Sequence, residues 1–438
     1  MMRPTERRVD VLVIGAGPAG ISAAVAAREA GKTVLVVDQG ARPGGQVWRH
    51  RDARALPPVA RRWVRRAVEL GIEFTQGARV IDALSPTALV IEGAGTTVLC
   101  RAAAVVIAAG AKERFIPFPG WTLPGVVGIG GLQALIKGGL EIAGRRVVIA
   151  GTGPLLFPVA ATVARASGRL LLVAEQAPAH QVAGFGLGLL AKPTAISLAV
   201  KYRWRFRRTR LRTSHWVVAA EGADRVRHVV IRGPRGERRL ECDWVATSAG
   251  LVPNTELAQL LGCAVDAGAV AVDRNQATSV IGVWAAGECT GVKGDEAAIA
   301  EGGIAGAGAA GSGDSPALGA LRRRRDAGRS FGARIAAAFA PRAELTQLAD
   351  DQTILCRCEN VRRGDIDARW SQRQAKLWTR IGMGECQGAV CGPACAALFG
   401  WGANAVRPPL GVPSCGSWRA ALEPLTKAGA ESPDAPRS

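Results

Sequence analysis

Tyrosine occurs once in the 438 residues, methionine three times and histidine four times, and all aromatics together make up 5%. So few rings leave few platforms on which unpaired bases could stack. The histidines, His50, His180, His215 and His228, are scattered and suggest no histidine metal site. No run of about 18 uninterrupted apolar residues is present, so no helical membrane span is expected. The nearest stretch, 183–200, is broken by Lys192 and Pro193. Arg7 and Arg8 precede an apolar run at the amino terminus, but the long apolar core and cleavage site of a secretion signal are lacking. A cytoplasmic chain is expected, in which ten cysteines serve as thiols or metal ligands rather than disulfides.

Acidic side chains are also in deficit, 36 against 56 Lys and Arg, for a net charge of +20. Such an excess attracts nucleic acid, anionic membrane surfaces or acidic partners. No nucleic-acid motif accompanies it, so no nucleic-acid partner is expected, and peripheral contact with a membrane surface stays open. The densest basic run, "KYRWRFRRTRLR" at 201–212, reads either as a solvated helix face or as a docking or anion-binding surface. With 48% hydrophobic and 21% charged residues, the chain has the balance of a soluble protein of two to four domains.

What is abundant is glycine, 55 residues, grouped in short motifs. The β-branched run 9–14, "VDVLVI", predicts a buried parallel strand. It feeds "GAGPAG", in which Gly15, Gly17 and Gly20 have G-x-G-x-x-G spacing around Pro18 and Ala19. An Ala-rich helix over 18–30 and a second strand over 33–38 follow, ending in Asp38. Gly15 permits the tight turn, Gly17 lets backbone approach a pyrophosphate, and Gly20 lets helix and strand pack closely. Asp38 is placed to accept hydrogen bonds from ribose hydroxyls. Arg61–Arg66 lie on an amphipathic helix with Arg on its wet face, and strands are expected near 72–75, 79–84, 88–92, 96–100 and again from 104. A second, weaker fingerprint begins after the strand 146–150: Gly151 and Gly153 fit, Leu156 replaces the third glycine, and the next strand ends at Glu175. It reads as a site for NAD(H) or another nucleotide, or as a Rossmann-type unit that has lost nicotinamide binding. Leu156 would hold the helix further from the strand, and Glu175 would repel a 2′-phosphate. Further strands are expected around 215–219, 225–232 and 239–241, and an Arg-rich helix over about 318–338.

Near the end, "TILCRCENV" and "GMGECQGAVC" supply Cys356, Cys358, Cys386 and Cys391. Four thiolates are what a [2Fe-2S] cluster needs, and glycines 384, 388 and 392 let backbone N–H groups turn toward sulfur. Tetrahedral zinc is the rival, unligated thiols a third reading, and Cys395 a substitute ligand.

The motifs "VIGAGPAG", Asp38, "GGQ" at 44–46, "IAAGAKER", "GTGP", "GLVPN" and "AAGECTG" fall in an order that resembles the flavoprotein reductases with two dinucleotide domains, the thioredoxin reductase and pyridine nucleotide-disulfide oxidoreductase group. The resemblance covers about 8–306. It implies an α/β fold with two Rossmann-like domains (three-layer ββα type). It implies FAD at the first site, with "GGQ" (Gly45, Gln46) beside the isoalloxazine, Gly287 and Glu288 near the ribityl and pyrophosphate, and further contacts at Gln39, Val80, Ala109 and Gly110. Glu288 stands where that family has Asp, and the redox Cys-x-x-Cys is replaced by "GIGGLQAL", so a flavin-to-disulfide relay is not expected. "FPGWTLPGVVGIGGLQALIKGG" and the cysteine pattern resemble a narrower group: large subunits of opine oxidases, hydrogen cyanide synthase and dye-linked proline or hydroxyproline dehydrogenases, with the alpha subunit of sarcosine oxidase a relative. That resemblance implies a FAD domain at 8–121 and 246–310, a nicotinamide-type domain at 122–245, a helical linker at 311–348, a small Cys-rich α-helical domain of the bacterioferritin-associated ferredoxin type at 349–410, and a tail at 411–438. The implied partners are an amino-acid-oxidase-like FAD beta subunit, together with a small ferredoxin-like subunit. Two other functions stay open: a self-contained NAD(P)H-dependent reductase of a ferredoxin-like acceptor, and a non-enzymatic basic metal-containing scaffold or nucleic-acid-binding module.

Overall fold

The computed structural model describes residues 5–93, 95–188, 209–313, 315–402 and 406–417. Most of the basic run, 201–208, lies outside the described residues. Contacts divide the chain into two compact units, Met1–Ala111 with Pro253–Arg329 and Ala405–Ser438, and Lys112–Val252 with Ser330–Asn404.

In the first unit the run "VDVLVI" is buried in β1 (Thr5–Ile14), which is followed by α1 (Pro18–Glu29) and β2 (Val34–Asp38). β1 pairs in parallel with β2, across α1, and with the strand Thr96–Ile107, a βαβ start. The sheet continues through Glu73–Gln76 on one side and, antiparallel, through Ala88–Gly93 and Arg79–Ser85 on the other. The late strand Val283–Ala285 joins it beside Thr96–Ile107. The expected break between strands at 96–100 and from 104 does not occur. Thr96–Ile107 is one strand because it is paired to β1 across the expected break, from Thr5↔Val98 to Ile14↔Ile107; the polar interruption is the exposed Arg101. The helix Pro58–Glu69 has an exposed Arg face, as its pattern predicts.

The helix Asp295–Ala309 packs on α1. It has no amphipathic stripe because nearly all of it is buried. A Cβ at Gly302 or Gly306 would stand 2.1 Å from the carbonyl oxygens of Ala19 and Ala23. These two glycines, one turn apart, therefore bring the helix backbones into direct contact. Ser22 Oγ closes the pair by donating to the Ile299 carbonyl at 2.8 Å.

The second unit holds a parallel sheet in the order Arg210–Thr213, Arg169–Glu175, Arg146–Gly151, Trp244–Ser248, Val126–Gly128. An antiparallel three-stranded sheet, Trp216–Glu221, His228–Gly233, Gly236–Glu241, accompanies it. The order reverses between Arg146–Gly151 and Trp244–Ser248, and the carboxyl ends of strands at such a reversal form a ligand crevice. The Arg-rich helix is Gly319–Ala338. Past it, a small core of Leu355, Cys356, Val361, Ile366, Ala375, Ile381, Cys391 and Cys395 gathers a hairpin and two helices, Gln372–Thr379 and Cys391–Phe399. Trp121 Nε1 donates to the Ile354 carbonyl at 2.6 Å and fixes the hairpin to this unit. Among the described residues no helix is long and apolar enough to cross a membrane.

Candidate nucleotide and thiol sites

The first glycine turn is built by backbone approach. A Cβ on Gly15 would meet the Ala108 carbonyl oxygen at 2.3 Å, and one on Gly20 would meet the Gly15 carbonyl oxygen at 1.7 Å. α1 therefore starts against the end of β1, with Gly17 as its cap and Pro18 in its first turn. The loop carrying Gly45 and Gln46 is folded onto this turn: Gly44 N–H donates to the Ala16 carbonyl at 2.7 Å, and a Cβ on Gly45 would lie 2.9 Å from Gly17 Cα. Asp38 accepts from Ala16 N–H and Gly40 N–H, both at 2.6 Å. A cavity of about 260 Å³ opens beyond it, lined by Gln39, Gly77, Ala78, Arg79, Glu92 and Gly93. Val80 is in the core, leaving only its backbone available to a nucleotide. The glycine-lined helix start and the cavity beside Asp38 fit the pyrophosphate and nucleoside of FAD.

Ala109 and Gly110 follow the strand Thr96–Ile107 and are pinned by Asn254, whose Nδ2 donates to the Ala109 carbonyl at 2.9 Å and whose N–H donates to the Gly110 carbonyl at 3.0 Å. Gly287 has φ +83°, and its N–H donates to Glu301 Oε2 at 2.9 Å. Glu301 is fully buried and also accepts from Thr290 Oγ1 at 2.9 Å and Lys293 Nζ at 2.5 Å. Glu288 accepts no hydrogen bond among the described residues; burial, and then the charge of Asp295, push its pKa up. Glu301 and Lys293 were not singled out in the sequence. A lone acid inside the apolar helix run "AAIAEGGIAG" was the signal for them.

The second turn is arranged differently. Leu156 is buried among Ile129, Leu132, Val147 and Ile149, and the helix Leu156–Arg165 begins only there. Glu175 Oε2 accepts from Gly153 N–H at 2.7 Å, and its Oε1 from Ala177 N–H at 2.8 Å and Thr152 Oγ1 at 3.1 Å. The one Thr152 hydroxyl proton is shared with the Phe339 carbonyl, 3.0 Å from Oγ1, and Gln176 Nε2 donates to the Ala340 carbonyl at 2.9 Å. The crevice at Gly151, Gln176, Thr247, Ser248 and Ala249 retains about 30 Å³, the share of one liquid water and roughly a tenth of the smallest usual ligand pocket. As arranged, these residues do not fit a nicotinamide dinucleotide.

Burial pushes the Glu175 pKa up to about 7 against the N–H groups of Ala177 and Gly153 and the Thr152 hydroxyl, which favour the anion. The folded chain then holds a proton here that the unfolded chain releases near its ordinary value of 4.5. The stabilisation is full below about pH 4.5 and is lost as pH rises to about 7. Glu175→Gln is therefore expected to flatten the fall in unfolding free energy across that window by on the order of 3 kcal/mol. Urea titrations of both proteins at a series of pH values measure it; identical slopes would refute the assignment.

Cys356 and Cys391 interact side chain to side chain, as do Cys358 and Cys386. Burial pushes the Cys391 thiol up. For Cys386 burial is opposed by the N–H of Val390, the Cys358 thiol and the N–H groups of Gly388 and Ala389, and the thiol ends below its ordinary value. A Cβ on Gly384 would lie 2.3 Å from Cys358 Cβ. All of these cysteines are free thiols, and among the described residues no group of three or more His, Cys, Asp or Glu side chains is placed to hold a metal ion. Two thiol pairs, with backbone N–H groups turned toward Cys386, are a donor chemistry that suits a thiolate-bound group. Cys395 is buried next to Cys356, and burial pushes its thiol up to about 12.

Comparison with known proteins agrees with this frame. Residues 9–310 match the model of the pyridine nucleotide-disulphide oxidoreductases. Hydrogen cyanide synthase subunit HcnB of Pseudomonas protegens is 32% identical over 87% of this chain and 90% of its own length. An opine oxidase subunit from Rhizobium meliloti is 33% identical over 95% of this chain and 99% of its own. Among solved structures, L-proline dehydrogenase from P. horikoshii superposes with a TM-score of 0.67 and 18% identity over 95% of this chain and 80% of that one, a likeness of fold. With a family model spanning most of its length and relatives matched nearly end to end, the chain is an oxidoreductase that belongs to the pyridine nucleotide-disulphide oxidoreductase family.

Proposed function

We propose that this chain is the FAD- and [2Fe-2S]-containing subunit that relays electrons in a multi-subunit amino-acid or opine dehydrogenase. The observation that carries the reading is the paired thiols Cys356/Cys391 and Cys358/Cys386, set in a loop whose N–H groups face Cys386, on a flavoprotein frame that lacks the redox disulfide. FAD supplies two-electron acceptance with one-electron release, and a [2Fe-2S] cluster supplies one-electron transfer. Gly15, Gly17, Pro18, Ala19 and Gly20 hold the pyrophosphate; Asp38 and Gln39 the ribose and adenine; Gly45 and Gln46 the flavin ring; and Gly287 and Glu288 the ribityl chain. Cys356, Cys358, Cys386 and Cys391 hold the iron. The near end-to-end match to subunits of an opine oxidase and a hydrogen cyanide synthase supports partner subunits here, with the C–N bond oxidised on an amino-acid-oxidase-like flavoprotein and an accompanying small ferredoxin-like chain.

The test is the visible spectrum of anaerobically purified protein with iron and sulfide analysis. About one FAD, two iron and two labile sulfide per chain are expected. Cys386→Ser should lose iron and sulfide while keeping FAD. Stoichiometric zinc, or iron retained by the variant, would sink the reading. Turnover of hydroxyproline, octopine or sarcosine by the chain alone would sink the division of labour.

A further inference from the structure

We infer that the second dinucleotide site is permanently closed by the chain's own segment Phe339–Arg342, so that this protein takes no electrons from NADH or NADPH. Family membership implies the opposite, so the inference rests on what fills the crevice. Phe339 is buried, and its Cβ and Cγ stand 3.9 Å from the position a Cβ would take on Gly153, directly over the glycine turn. Its ring meets Phe185 edge-on at 5.0 Å. The Thr152 hydroxyl, placed as a phosphate donor, is taken up between the Phe339 carbonyl at 3.0 Å and Glu175 Oε1 at 3.1 Å. Gln176, 2% exposed at the end of the strand that would face the adenosine ribose, is held on both sides of its amide: Nε2 donates to the Ala340 carbonyl at 2.9 Å, and Oε1 accepts from Arg342 N–H at 3.1 Å. The Arg342 guanidinium bonds the Gln176 carbonyl at 3.2 Å and stacks 3.9 Å above the Trp216 ring. Leu345 then fills the crevice with Ile116, Trp216, Val218 and Ala249.

The segment thus supplies carbonyl oxygens where a dinucleotide would present phosphate and ribose oxygens, and rings where it would present a base. The Gln176 amide and the Thr152 hydroxyl are both engaged by it, so a ligand must break these bonds before forming its own. If the closed form dominates, apparent affinity falls by the fraction that is open. Closure does not depend on the iron centre. A protein without iron that also binds no NAD would sink the relay reading and leave closure standing.

Isothermal titration of the FAD-loaded protein with NAD⁺, which binds without reducing flavin, tests the inference. No saturable heat is expected up to about 1 mM, the top of the usual range for such ligands. The Gln176→Ala/Phe339→Ala variant, shown to be folded by circular dichroism, should gain saturable binding by at least about tenfold. Arg342→Ala, which loosens the same segment without opening the core, should gain a smaller increment. Hydrogen exchange of wild-type amides 340–345 should be unchanged by NAD⁺. Saturable binding to the wild type, NAD⁺-dependent exchange in 340–345, or a folded double variant that still binds nothing would each overturn it.

Discussion

Replacing Glu301 by alanine is expected to cost about 3–5 kcal/mol of unfolding free energy, the usual penalty for removing one partner of a buried ion pair. Glu301 is 0% and Lys293 7% exposed, so the ammonium left behind keeps only the Thr290 carbonyl and hydroxyl, at 3.0 and 2.8 Å. The Gly287 N–H is orphaned at the same time. The double variant Lys293→Met/Glu301→Ala removes the stranded charge and should be more stable than Glu301→Ala by about 1–2 kcal/mol. Urea unfolding of the wild type, Glu301→Ala, Lys293→Met and the double variant supplies the cycle; additivity of the single costs would show that the pair is not coupled. Because Glu301 fixes the Gly287 turn, Glu301→Ala should also purify with less FAD than Lys293→Met.

The second large effect is at Gly20. A Cβ there would lie 1.7 Å from the Gly15 carbonyl oxygen and 3.3 Å from Val13 Cγ1. The obstacle is backbone, so no side-chain rotation relieves it, and α1 must move off the sheet. Gly20→Ala is expected to cost about 3 kcal/mol or more, at the upper end of overpacking, and to lower the FAD:protein ratio. Gly138→Ala is the control. Nothing lies within 4 Å of its Cβ position at the end of the helix Ile129–Gly138, and helix propensity makes that change neutral or slightly favourable. Thermal melts and bound-flavin absorbance decide the matter; equal melting temperatures for the two variants would refute the close-packing account.

The nucleotide turn at Gly15–Gly20 was legible because every constraint on it is local: a β-branched run, a fixed glycine spacing and an acid at the end of the next strand. The wet Arg face of Pro58–Glu69 was legible for the same reason, one helical period read along the chain. Filling of the second site was not, because its partners are far apart in sequence. Thr152 and Gln176 meet Phe339 and Ala340 across 187 and 164 residues, and no periodicity links such positions. Leu156 gave half the answer, marking the turn as altered without showing what had taken the space. Glu301 was hidden by composition, since its helix is so rich in Ala and Gly that only one acidic residue signals a buried network. The split of Thr96–Ile107 into two expected strands has the opposite cause: the local pattern broke at Arg101, and long parallel pairing to β1 overrode it.

The contact between α1 and Asp295–Ala309 has a consequence for synthesis on the ribosome. Ser22 and Ile299, bonded in the finished protein, are 277 residues apart. At about 5–20 residues per second, the amino-terminal βαβ unit emerges roughly a quarter of a minute or more before the helix that covers it. Through that interval the small-residue face of α1, from Ala19 to Ala23, lacks the helix that covers it, while Lys112–Val252 is made with all five strands of its own parallel sheet. The inserted unit is thus positioned to collapse before the unit that encloses it in sequence, and the amino-terminal unit waits, open to chaperones, for its last helix to be made.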